Sequence, residues 1–269
     1  MRWLSTLCLF ASGAALLAAD DAKPADEKSS AKVQAIGLIV RKSPPPKPGA
    51  FAFTPNGVTM DLTVSKPGKF IVGIDAKASK LDSFTDDKKN NLFKKQPGIF
   101  GGEDRWINEF ATQFAPEGDN CTIQITAGNA PGKGAAKIVV KASLIVKCGA
   151  NEKTTEKKEI ALKANEEVKV ADFTVKVNNA NNFGAGVSVL SAEPRVKSVE
   201  FFDADGKAIK AMPPGRGSDF SAPGGKPRAA ISYFLGGKQT DKLSFKITYF
   251  DKIEAVTVPL DLNVGLDLE

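Results

Sequence analysis

There is no histidine among the 269 residues of this chain. That absence closes the commonest catalytic routes. No Ser-His-Asp or Cys-His arrangement can be built, no zinc can be held by imidazole, and the usual general base near neutral pH is missing. Aromatic residues with a polar edge are scarce, two Trp and two Tyr against 17 Phe. Sugar platforms favour Trp and Tyr, so a carbohydrate site has few residues to draw on. Beyond the N-terminal segment no apolar run approaches the ~20 residues of a membrane helix, and no span is expected in the mature chain. Phosphate-loop lookalikes fail on spacing: "GNAPGKG" (128–134) is one residue short between its glycines and has no Ser or Thr after the Lys. No Gly-x-Ser-x-Gly elbow occurs in the mature chain.

What is present begins with an export signal. "MRWLSTLCLFASGAALLAA" (1–19) runs from Arg2 through an apolar stretch to small residues, the order of a secretory signal peptide cleaved after Ala19. Cys8 stands too early for a lipid-attachment site. Residues 20–32, "DDAKPADEKSSAK", carry nothing apolar larger than Ala and are expected to form a disordered tail. The protein is therefore predicted to be secreted or periplasmic. Cleavage removes one Arg from a formal charge of +6, so the mature chain stays basic. It also removes Cys8 and leaves Cys121 and Cys148, an even pair that predicts a disulfide in an oxidising compartment.

Short alternating runs follow, separated by Gly, Pro, Asn and Asp. "KVQAIGLIVRK" (32–42) reads as a first strand and the proline run "SPPPKPGA" (43–50) as a stiff loop. Val58, Met60, Leu62 and Val64 alternate as a strand. "CTIQITA" (121–127) and "AAKIVVKASLIVKC" (135–148) read as two strands joined across "GNAPGKG". Trp106, Phe110 and Phe114 recur every four residues, which suits a short helix or an aromatic-pinned loop. The polar "GANEKTTEKK" (149–158) looks like a boundary, which divides the chain into a first unit at 33–150 and a second at 151–269. Strands at this spacing argue all-β sandwiches and not βαβ units.

In architecture these runs resemble tandem immunoglobulin-like or fibronectin type III-like modules of secreted bacterial proteins, over most of residues 33–268. The resemblance implies two antiparallel β-sandwiches in tandem and carries over no functional residues. The Cys, Trp, Cys order of antibody domains is absent, because Trp106 precedes both cysteines. In the closing strand, even positions from Val256 to Leu268 are apolar. That face is expected to cover the second unit's core, opposite "KLSFKITYF" (242–250), with a bend at Pro259 or Gly265.

Candidate sites are few. Asp82, Asp86 and Asp87, near Asn90 and Asn91, form a dense set of hard oxygen donors suited to calcium or a polar ligand. Their alternative role is local: Thr85 caps a short helix whose first turn carries Asp86 and Asp87. Asp203-x-Asp205-Gly206 starts like a calcium loop but lacks its later ligands, and reads as a turn that pairs Phe201 with Ile209 and Val199 with Ala211. Trp106 is the one Trp of the mature chain that could face a sugar. Lysines are interspersed with acids, as on a solvated surface, so nucleic acid is not expected as a partner. No catalytic residue, metal ligand or cofactor site is assigned. The expected function is non-enzymatic, through protein or cell-envelope contacts. A carbohydrate- or calcium-binding module is the first alternative, and a hydrolase with paired carboxylates is the second.

Overall fold

Alternation is the organising signal of the computed structural model, which describes residues 31–42, 57–93, 106–219, 227–237 and 241–266. The expected signal peptide, all but the end of the expected tail, and the proline run lie outside them. Among the described residues there is no helix, and every strand pairing is antiparallel. One sheet orders β1 (Lys32–Arg41), β2 (Gly57–Ser65), β6 (Asn120–Ala127) and β5 (Ile107–Phe114). A second orders β13 (Gly215–Asp219), β14 (Arg228–Gly236), β10 (Gly184–Ser191), β9 (Phe173–Asn181) and β8 (Glu167–Val170). Both lie against a third sheet. Its order is β12 (Ala208–Ile209), β11 (Val196–Phe202), β15 (Lys242–Gly265), β7 (Lys137–Ala161) and β3 (Phe70–Ile74), and β4 (Lys80–Asp86) also pairs with β7.

The third sheet is shared, and this decides the architecture. β7 and β15, 25 and 24 residues long, run antiparallel along almost their whole length. At ~3.3 Å per residue the ribbon spans about 80 Å, several ordinary strand lengths. A first core forms between the β1-β2-β6-β5 sheet and one half of the ribbon, with Met60, Leu62, Ile123, Ile138, Leu144 and Val258 fully enclosed. A second core forms between the β14-β10-β9 face and the other half, around Phe173, Val187, Phe201, Leu235, Phe245 and Ile247. On β15 the inward residues are odd-numbered in the second core and even-numbered in the first. Side chains alternate across a strand, so the ribbon offers opposite faces to the two cores.

Several expectations change accordingly. Val258, Leu260 and Leu266, with Val256, Leu262 and Val264 packed beside them, belong to the first core and not the second. Residues 242–250 do not oppose the closing segment but continue into it as one strand, because "DKIEA" (251–255) holds no turn-forming Gly, Asn or Pro. The register passes through Pro259↔Ser143 unshifted, and the one slip lies between Leu243 and Phe245. Among the described residues β15 is an edge there, since β11 pairs only as far as Tyr249, and an edge tolerates a proline. The polar stretch 149–158 is not a linker either. It lies inside β7, so the boundary at 150/151 cuts a continuous strand. Among the described residues its outer edge beyond Gly149 pairs with no other strand, and it carries Lys153, Lys157 and Lys158 interspersed with Glu152, Glu156 and Glu159, which discourages edge-to-edge association.

Two further corrections concern neighbours. β6 and β7 belong to different sheets and do not form a hairpin across "GNAPGKG". Residues 107–114 form strand β5 in place of a short helix or a pinned loop, with a register slip between Asn108 and Gln113 absorbing the irregular spacing. The turn after β11 is closer to expectation. Phe201 pairs with Ile209, and Gly206 takes φ 79°. Val199 pairs instead with Ile247, while Ala211 bridges to Leu235.

Candidate functional site

Asp86 ends β4 and is 1% exposed, yet it is no metal ligand in waiting. Its Oδ1 accepts the backbone N–H groups of Lys88 (3.0 Å) and Asn90 (2.9 Å). Its Oδ2 accepts the Gly132 N–H (2.9 Å) and the Asn90 side-chain amide (2.7 Å). Four donors fill the lone-pair sites of a carboxylate. Burial pushes the Asp86 carboxyl up, but these donors together hold it below the ordinary range. The group staples the turn after β4 to the loop before β7. Asp87 adds to that staple by accepting the Ala136 N–H at 3.1 Å. Thr85 lies in strand β4, so the helix it was expected to cap does not form. Asp82 is exposed and lines a small hollow of about 220 Å³ beside Phe84 and Phe93, as its only carboxylate. Among the described residues no group of three His, Cys, Asp or Glu could hold a metal ion.

The other candidates also turn inward. Trp106 is 4% exposed in the first core, where it cannot stack on a sugar. The Asp203 Oδ1 accepts the N–H groups of Asp205 and Lys207, which makes it a turn brace. Cys121 and Cys148 both face the first core from opposing sheets and both carry free thiols, so the expected bridge is not formed in this structure. Desolvation pushes the Cys121 thiol up to about 12 and raises Cys148 as well, leaving both as inert, protonated core residues.

The site that sequence reasoning missed lies where the two cores meet. A cleft of about 570 Å³ opens between the two flanking sheets. Val72, Ile74 and Phe114 come from the first half; Val189, Ala229 and Ile231 come from the second. Lys77, Glu109, Thr112, Ser218 and Arg216 add the polar groups.

Arg216 is the unusual member. Its guanidinium donates to the carbonyls of Val196 (3.1 Å) and Lys197 (3.3 Å). It also lies 5.9 Å from the Phe70 ring centroid and 5.8 Å from that of Phe114, within cation–π range. No carboxylate pairs with it among the described residues. Desolvation draws its pKa below the usual arginine value, although a guanidinium of this kind stays charged. Phe70 in turn packs on Phe250 at 5.1 Å, in a space that exists only because Gly118 and Gly149 carry no Cβ. Any added Cβ at either glycine would collide with one of the two rings. Nothing in "PPGRGSDF" (213–220) marks Arg216 in advance, since the aromatics and carbonyls around it come from distant strands.

No protein-family model matches the chain, and no curated protein or solved structure is significantly similar to it.

Proposed function

We propose that this is a non-enzymatic, exported β protein that acts by holding a partner or ligand in the cleft between two immunoglobulin-like sandwiches fused through their common sheet. The signal-like N-terminus supports export, and the cleft itself carries the binding reading. It is concave, mostly apolar and fitted with a few convergent polar groups, and its volume falls within the ~300–1,000 Å³ usual for ligand sites. Its walls come from both halves of a molecule braced by one unbroken ribbon, so the lining is preformed. Two of the aspartates weighed for calcium are engaged elsewhere, Asp86 in the loop staple and Asp203 in its turn.

Ser218 tests the reading. It is exposed and shares the face of β13 with Arg216, two residues away, so Ser218→Trp places an indole in the cleft without disturbing either core. Protein isolated from its native host under gentle conditions should carry a one-to-one non-covalent companion by native mass spectrometry, and the variant should lack it. Equal occupancy in both proteins would remove the cleft as the binding site. The exported chain should begin at Asp20.

A further inference from the structure

The chemistry around Arg216 says what kind of ligand the cleft accepts. We infer that it binds a small organic monocarboxylate, with an apolar body along the cleft wall and the carboxylate on the Arg216 guanidinium. This inference rests on the cleft being the binding site.

Three observations carry it. First, among the described residues the charged side chains lining the cleft are Lys77, Glu109 and Arg216. The first two offset each other, and Arg216 leaves one net positive charge. Second, that charge is partly removed from water yet, among the described residues, answered only by two main-chain carbonyls and two ring faces. Charges in such surroundings are ordinarily paired, and a desolvated, uncompensated guanidinium is an anion site by its own electrostatics. A guanidinium has five N–H donors, and the bonds to Val196 and Lys197 leave three for a carboxylate. Third, the remaining wall is mostly aliphatic and aromatic, so a bare inorganic anion would leave most of it unused. An anion with an apolar body uses both parts. The cleft's volume suits a molecule of small-ligand size and not a folded partner.

The test is calorimetric titration of the full mature protein with octanoate, octan-1-ol and octylammonium, which share one chain and differ in head group. Octanoate should bind at least about tenfold more tightly than octan-1-ol, as expected for a charge-assisted pair, and octylammonium should bind more weakly than either. Arg216→Gln should bring octanoate to the level of octan-1-ol while leaving the alcohol unchanged. If that variant does not fold, the three head groups on the unaltered protein still decide the matter. Octanoate binding no tighter than the alcohol, or no binding of octanoate at all, overturns the inference. Should Ser218→Trp block all three compounds while head group makes no difference, the cleft remains the binding site and only the anion preference is lost. An octanoate preference that survives Ser218→Trp places the anion elsewhere and overturns the inference as well.

Discussion

Asp86 and Arg216 are two charges drawn out of water, and the molecule treats them in opposite ways. Asp86 is buried at the end of β4 with four N–H donors on its two oxygens. Arg216 sits at the open junction with two carbonyls, two ring faces and no counter-charge among the described residues. A saturated buried charge holds local structure together. One left partly unanswered beside a cavity is available to something else. Polar density in sequence pointed to the first of these and geometry to the second.

The largest effect expected from breaking this contrast is at Asp86. Replacing it with Ala strands three backbone N–H groups and the Asn90 amide, and should reduce unfolding free energy by about 3 kcal/mol in urea titration. A change below about 1 kcal/mol would show that water replaces the carboxylate easily and that the staple is dispensable.

Acid gives the next effect. The folded-state pKa of Asp86 lies below its unfolded value, near 3.9, because the N–H donors outweigh burial. Its contribution is therefore complete above the unfolded pKa and declines as pH falls through the folded one. The stability gap between the unaltered protein and Asp86→Asn should be constant from about pH 7 to 5 and should narrow below about pH 4. A gap independent of pH down to 2 would mean that Asp86 is not the titrating group.

Asp203 sharpens the same point in a wetter place. Its carboxylate accepts two backbone N–H groups, against three at Asp86, and in a surface turn where water can take over. Asp203→Ala should cost about 0.5–1 kcal/mol, a fraction of the Asp86 effect. Near-equal losses at the two aspartates would mean that burial does not set the difference.

Arg216 should show the smallest change in stability. Replacing an uncompensated, desolvated guanidinium with Met exchanges two hydrogen bonds for relief of a desolvation penalty, and the ligand-free protein should shift by less than about 1 kcal/mol. A loss as large as that of Asp86→Ala would make Arg216 a structural brace and remove the ground for its role in binding.

How much of this could be read beforehand follows from the range of each interaction. The alternating cores of β2, β6 and the first half of β7 were visible because period-two apolarity is local. The Asp203–Gly206 turn was visible for the same reason, since donors and acceptor lie within four residues. The Asp86 cluster was noticed but given a wrong occupation, because one of its donors is Gly132, 46 residues away. Trp106 could be singled out by rarity, yet rarity does not reveal burial. The short helix or pinned loop expected from Trp106, Phe110 and Phe114 failed because a four-residue recurrence of aromatics also fits a strand with a slipped register.

By itself the chain determined that it would be a protein of antiparallel strands, that histidine chemistry was closed to it, and which side of most strands would be apolar. These are matters of composition and of neighbours two residues apart. Tertiary structure alone decided that two long strands serve both cores. A strand's partner depends on which apolar faces meet in space, and no local pattern records that the odd-numbered face of 243–249 and the even-numbered face of 256–264 belong to one strand covering two different cores. The same arrangement created the cleft. Arg216, Phe70 and Phe114 are far apart along the chain, and only the packing of three sheets at one junction places that guanidinium between two rings beside an open cavity.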